Sequence, residues 1–534
     1  MVDILLEENV LVPMCDNISI AADVFRPDVP GKFPAILSMS PYGKEMQRYP
    51  GGHFSSVEAG PTKYFVSHGY AHVIADSRGS APSGGQWALS SAEEQQDGYE
   101  LVEWIARQPW CNGSVAMVGG SYYAQIQFLV AATQPPHLKT IVPFNGWTDI
   151  YRDLIFHGGL LHGFFPVWLS SVYERVQAEL GSMAPEKRLP PRDILGDVVA
   201  RNPTDGPYYW ERGVITRFDK IKVPVYHMLS TSTYNHYRSQ LVGYTKLTCP
   251  QKLMIIAGSL RRAIYHEAIA AEIVRWLDYW MKDIDTGIMK EPPVTVFVQG
   301  SDEWRYESEY PLKRTEWTKL YLHSGADRPA SQPPYGWLGR DLPANEPPDA
   351  YDYPESDARV EANLPVVAYC TPPATEDREH IGPASLTLYA SSSVADAALI
   401  VRIDDVAPDG TFKMVSKGWL RASHREVDES RSSPGIPFHP HTKPTPLEPN
   451  RVYKFEIEIW PLCRNFKAGH QLRLRIASSD SRAIDVGNFH SVLEQPYRLT
   501  IHHSKEYPSH LLLPLIPHAT PTALKPKINY TPKY

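Results

Sequence analysis

The chain has 534 residues, 43% of them hydrophobic and 21% charged, with 53 Lys plus Arg against 60 Asp plus Glu and a net charge of −7. That is apolar mass enough for more than one core. A mildly acidic chain without a basic cluster argues against nucleic-acid or anionic-membrane partners. Cys15, Cys111, Cys249, Cys370 and Cys463 are scattered and form no CxxC pair. A disulfide framework or a cysteine-built zinc centre is therefore not expected, and a reducing compartment fits best. The opening MVDILLEENVLV carries Asp3, Glu7 and Glu8 rather than the basic-then-apolar pattern of a signal peptide. No apolar run approaches the roughly 18 residues that span a bilayer. The expectation is a cytoplasmic protein with a small-molecule substrate and no cofactor, with a homodimer as a possible assembly.

In chain order, residues 1–145 alternate strand-like and helix-like runs: Phe33 to Met39, Tyr70 to Ala75, the amphipathic Glu93 to Arg107, then Ser114 to Val118. Buried strands alternating with helices predict a parallel α/β sheet. Residues 146–218 read as helical and aromatic, the pattern of a cap inserted over the sheet. Strand character returns at VPVYHML (223–229) and KLMIIAG (252–258), followed by a long helix from Ala268 to Lys282, so 219–290 completes the α/β unit. From 291 to 534 short alternating strands follow one another without helices, beginning at VTVFVQG, which predicts a β-sandwich. The chain holds 49 prolines, about 9% against a usual value of about 5%. The Pro-rich tracts 328–355 and 434–449 read as loops within the sandwich.

Chemistry concentrates in VAMVGGSYYAQIQFLVAAT (115–133), where a β-branched strand turns through Gly119-Gly120-Ser121 into a helix. That is the strand–turn–helix context of a nucleophile elbow, which puts a serine oxygen at a helix start where free N–H groups favour an anion. The same small residues would also suit a plain packing turn.

Further motifs fall in a fixed order around this one: VPMCDNISIAADVFRPDVPGKFPAIL, SPYGK (40–44), DSRGSAPSGGQW (76–87), QPWCNGSVAMVGGSYYA (108–124), RWLDYWMKDIDTGI (275–288), GWLRASHREVD and PFHPHTKP. With them almost the whole chain resembles the cocaine-esterase/NonD serine hydrolases, relatives of the Xaa-Pro dipeptidyl-peptidases. Ala81, Pro82 and Ala124 depart from the family motifs. The resemblance implies an α/β-hydrolase core, a helical cap and a C-terminal jelly-roll β-sandwich. It implies Ser121 as nucleophile, with the Tyr122 main-chain N–H and the Tyr42 hydroxyl forming the oxyanion hole. Tyr42 also suits an ordinary buried tyrosine.

The rest of the family triad is absent. Where the resemblance places the acid, the sequence reads STSTYNHYRSQL with Tyr234 at the aspartate position, and 221–247 contains no Asp or Glu. Where it places the histidine, Gly258-Ser259-Leu260-Arg261-Arg262 puts Arg262, which cannot accept a proton from serine. His236, His266, Asp149 and Asp153 are the neighbours available to rebuild a triad. His439 and His441 lack a carboxylate or cysteine at ligand spacing, so no metal is expected. Phe156, His157, Phe164, Phe165 and Trp168 in the cap either line a pocket for a bulky apolar ligand or form the cap's own core. Two functions follow. The first is a hydrolase fold repurposed for a non-hydrolytic cyclisation, elimination or isomerisation of a small apolar metabolite in specialised-metabolite biosynthesis, with Arg262, Tyr234, Tyr42 and His236 polarising a carbonyl. The alternative is a serine ester or amide hydrolase that uses Ser121 with a relocated base. A catalytically inactive binding module has no positive support.

Overall fold

The structure is a computed structural model that describes residues 3–48, 58–80, 82–180, 189, 192–231, 236–325, 335–354, 366–481, 489–490, 495–517 and 525–533. Its first sheet has ten strands: β1 (Ile4–Pro13), β2 (Ser19–Pro27), β3 (Phe33–Ser40), β4 (Ala71–Asp76), β5 (Cys111–Gly120), β6 (Leu138–Phe144), β7 (Val225–Ser230), β8 (Gln251–Ile256), β9 (Val294–Val298) and β10 (Glu303–Glu307). They lie in the order β1-β2-β4-β3-β5-β6-β7-β8-β9-β10. The strands from β4 to β9 run parallel, while β1, β2 and β10 pair antiparallel at the two ends. Helices cover both faces, so β3 to β6 are buried on both sides and read as continuous apolar runs. One face packs Leu37, Val73, Met117 and Ile141 under α2 (Ala92–Ala106) and α3 (Tyr122–Thr133). The other packs Val118, Met228 and Met254 under helix Glu267–Lys282 through Ile273, Trp276 and Leu277.

The sequence placed VTVFVQG in the C-terminal domain from residue 291, whereas Val294–Val298 adds to β8 in parallel register and carries β10 with it. A short apolar strand does not announce which sheet it joins, and here the α/β sheet runs on to Glu307. The second sheet starts at Glu316 and has eleven strands. Arg378–Ser392 pairs both with Tyr453–Phe466 and with His510–Ile516, which closes the sheet on itself around Leu386, Leu399, Ile457 and Leu474. Within the Pro-rich tract 328–355, Tyr335–Gly339 and Asp349–Tyr353 are strands rather than loop.

The cap differs from an all-helical block. Phe156–His157 pairs antiparallel with Leu160–Leu161 across Gly158 and Gly159, whose φ values are +55° and +85°. Two consecutive left-handed residues make the tight hairpin turn that suits the strand twist, and glycine adopts it without a Cβ penalty. A Cβ at Gly158 would lie 1.9 Å from the Trp419 carbonyl oxygen, so the hairpin tip sits directly against the C-terminal domain. Helix Phe164–Leu180 follows. Among the described residues no helix is long and apolar enough to cross a membrane.

Candidate active site

Ser121 stands between β5 and α3 with φ +56° and ψ −119°, a strained conformation for a residue with a side chain. The strain is held from several sides. Gly120 N–H donates to the Glu58 carbonyl at 2.8 Å and Ser121 N–H to the Phe144 carbonyl at 3.0 Å. Gly119, at φ +146°, leaves no room for a side chain, since a Cβ there would lie 2.5 Å from Tyr123 Cβ. The packing turn and the nucleophile elbow are therefore one feature: small residues let the turn close while Ser121 is carried at its tip. Tyr122 is the first residue of α3, where main-chain N–H groups have no partner within the helix.

Tyr42 lies in the loop after β3, and its main-chain N–H donates to Ser40 Oγ at 3.1 Å. Its hydroxyl accepts from Trp168 Nε1 at 3.0 Å, which leaves its own proton available. The Ser121 hydroxyl also acts on it, and burial pushes the phenol well above its usual pKa. Tyr42 therefore remains a neutral donor beside the serine. The SPYGK and DSRGS segments that frame it are tied by charge. Lys44 N–H donates to Asp76 Oδ1 at 2.8 Å, and its buried ammonium sits 3.4 Å from Asp76 Oδ2 and 3.8 Å from Asp23. The Tyr122 side chain faces away into structure, donating to buried Glu94 at 2.8 and 2.9 Å.

The partner of Ser121 that sequence reasoning missed is Glu58. Its carboxyl is buried, and burial pushes its pKa up to about 7 against the opposing pull of Arg261 and of the nearby Ser121 hydroxyl. Arg261 Nε lies 3.2 Å from Glu58 Oε1, whereas Oε2 forms no hydrogen bond of ordinary length among the described residues. One signal was available: Glu58 is the single acidic residue between Glu45 and Asp76.

The other expected residues divide. Both arginines are exposed, but the Arg262 charge acts on Tyr530, whereas Arg261 reaches Glu58 and Leu260 packs against Gly120. A short helix, Leu260–Ile264, turns consecutive side chains to different sides, which a linear alignment with an irregular loop does not anticipate. Tyr234 lies outside the described residues. His236 is buried, stacks on Trp147 with ring centroids 5.0 Å apart, and is pushed by burial down to about 3, so it is neutral. Trp147 in turn meets Tyr122 edge-on. His266 caps helix Glu267–Lys282 through the Ala268 N–H. Asp149 is held by Arg152 at 2.8 Å, and Asp153 by Arg238 at 2.9 Å and by Ser239. Neither acid orients a histidine as a triad acid would. His439 hydrogen-bonds two main-chain oxygens and His441 meets His424.

The cap aromatics also divide. Trp168 belongs to the site through Tyr42 and stacks on Tyr122 at 6.2 Å, with Phe165 behind it. Phe156 stacks on Tyr151 and packs on Tyr209 as cap core. His157 and Phe164 flank a different cluster, which contains His162.

A parallel sheet in this strand order, with a strained serine turn after its fifth strand, defines an α/β-hydrolase-fold protein. Residues 16–259 match the X-Pro dipeptidyl-peptidase (S15 family), and residues 286–512 match the X-Pro dipeptidyl-peptidase C-terminal non-catalytic domain. The chain is 25% identical to a cocaine esterase of Rhodococcus sp. (strain MB1 Bresler), over 95% of this chain and 98% of that protein. It is 24% identical to a putative serine esterase of Mycobacterium tuberculosis, over 88% and 90%. The crystal structure of a CocE/NonD family hydrolase from Staphylococcus aureus superposes with a TM-score of 0.83 at 26% identity, covering 96% of this chain and 94% of that one. The chain belongs to the CocE/NonD family of hydrolases, related to the X-Pro dipeptidyl-peptidases.

Proposed function

We propose that the protein is a serine esterase in which Glu58 replaces the missing histidine as base. The observation that carries this reading is the Glu58 carboxyl beside Ser121, buried and with a pKa near 7. A general base works best when its pKa lies near the working pH, because it is then deprotonated yet still basic. Glu58 takes the Ser121 proton as the seryl oxygen attacks the ester carbonyl, and Arg261 stabilises the carboxylate when it is charged. The developing oxyanion is received by the Tyr42 hydroxyl and the Tyr122 main-chain N–H. Glu58 then returns the proton to the leaving alkoxide, and water repeats the cycle on the acyl-enzyme. The small-molecule substrate carries a bulky apolar group, for which Trp168, backed by buried Phe165, supplies the facing surface. The esterase names of the two relatives given above support ester chemistry.

The non-hydrolytic reading rests on a separate observation: the family's acid and histidine positions carry other residues, while the Tyr42 hydroxyl, which accepts from the Trp168 N–H, keeps a proton with which to polarise a carbonyl. One experiment divides the two, hydrolysis of a series of p-nitrophenyl esters by the wild type and by Ser121→Ala. The esterase loses on the order of 10⁴-fold or more when its nucleophile is removed. A Ser121→Ala variant within about tenfold of wild type would return the protein to non-hydrolytic chemistry.

A further inference from the structure

Three buried histidines meet where the cap hairpin touches the C-terminal domain. His157, His162 and His490 each offer one ring nitrogen, and these three atoms lie within 4.8 Å of one another. The hairpin turn at Gly158–Gly159 places His157, and His162 follows immediately after its second strand. A β-bridge between His162 and His490, with Gly163 N–H donating to the Phe489 carbonyl at 2.7 Å, brings in the third ring.

The second nitrogen of each ring already has an acceptor. His157 Nε2 lies 3.2 Å from the Asp153 carbonyl, and His162 Nδ1 lies 3.2 Å from the Leu154 carbonyl. His490 Nδ1 lies 2.8 Å from Asp480 Oδ2, whose carboxylate is also paired with Lys417. Carbonyls and an ionised carboxylate only accept, so these three nitrogens carry the ring protons. The opposite nitrogens converge: His157 Nδ1 and His490 Nε2 are 2.9 Å apart and share one proton in a hydrogen bond. His162 Nε2 is fully buried and has no hydrogen-bond partner among the described residues. A cation that displaces the proton shared by His157 and His490 meets both of these nitrogens at once. A histidine whose far nitrogen is fixed by a carboxylate or carbonyl is also the usual second layer of a zinc centre. Trp419 and Trp460 pack on His157 at 4.8 and 5.0 Å and keep the cluster dry.

We propose that His157, His162 and His490 form a binding site for one divalent cation of the zinc class. Three imidazoles leave a fourth position for water or a ligand atom. The site joins the cap to the C-terminal domain and is independent of the ester chemistry assigned to Ser121.

The test uses the untagged full chain, stripped with chelator, dialysed against Zn²⁺ and desalted. Elemental analysis is expected to find about one Zn²⁺ per chain, and cobalt substitution to give the intense visible bands of a four-coordinate ion. Metal is expected to raise the melting temperature. His162→Ala is expected to lose the bound metal and the thermal shift, and Asp480→Asn to bind about 10–100-fold more weakly. Far-ultraviolet circular dichroism checks that the variants fold, and the wild-type thermal shift stands without them. His68→Ala, on an exposed helix end, is the control and is expected to bind as the wild type does. A stripped wild type that takes up no stoichiometric metal and shows no thermal shift would overturn the proposal. So would a folded His162→Ala that binds as the wild type does.

Discussion

Glu58 loses its hydration beside Ser121, and in the proposed mechanism this desolvated carboxyl sets how the site responds to pH. A base must be deprotonated to act, so esterase activity is expected to rise with pH through about 7, the value to which burial pushes Glu58. Arg261 opposes that push. Arg261→Met therefore raises the Glu58 pKa further, and the acid limb of kcat/KM is expected to move to higher pH. Arg262→Met, which changes an exposed neighbour, is expected to leave the limb in place; a pH–rate profile of both variants checks this. At Tyr42 the phenol stays neutral and receives the Trp168 N–H, so its own proton can point at the oxyanion. Tyr42→Phe is expected to lower kcat by about 10² to 10³, the loss typical of one oxyanion donor, with KM little changed.

At the scale of elements, the elbow and the cap hairpin are built by glycines that tolerate no Cβ. Gly158→Ala would set a methyl 1.9 Å from the Trp419 carbonyl at a positive φ, so the hairpin must shift. The variant is expected to melt below wild type, read by thermal denaturation. The sequence revealed much at this scale. The alternation of apolar runs marked β3, β4, β5, β7 and β8, and the SPYGK, DSRGS and GGSYYA segments marked the loops that meet at Ser121. It did not reveal Glu58, because a lone acid in a loop becomes a candidate base only when the fold desolvates it. It misplaced Arg262 for Arg261 because a one-residue step on a short helix swings a side chain by about 100°. The three-histidine cluster was equally hidden, since His157 and His490 stand 333 residues apart and meet only through tertiary packing.

Across the whole molecule, the α/β unit, cap and C-terminal domain are joined by buried charge. Arg238 spans two of these joints, 2.9 Å from Asp153 and 2.7 Å from Glu458. Arg238→Met leaves Asp153 buried without its cation and is expected to cost about 3–5 kcal/mol, measured by denaturant unfolding. Arg152 adds another joint, donating to the His439 and Pro440 carbonyls of the C-terminal domain. These joints hold the cap in place, and with it the Trp168 indole on Tyr42 beside Ser121. The central claim is that Ser121 is a nucleophile activated by Glu58. It is tested most directly by the rate of covalent labelling with a fluorophosphonate, followed by intact mass and peptide mapping in wild type and Glu58→Gln across pH 5–9. A single adduct is expected on Ser121, forming faster as pH rises through about 7 and slowed on the order of 10²-fold or more in Glu58→Gln. Labelling of both proteins at the same rate, or no adduct on Ser121 in the wild type, would contradict it.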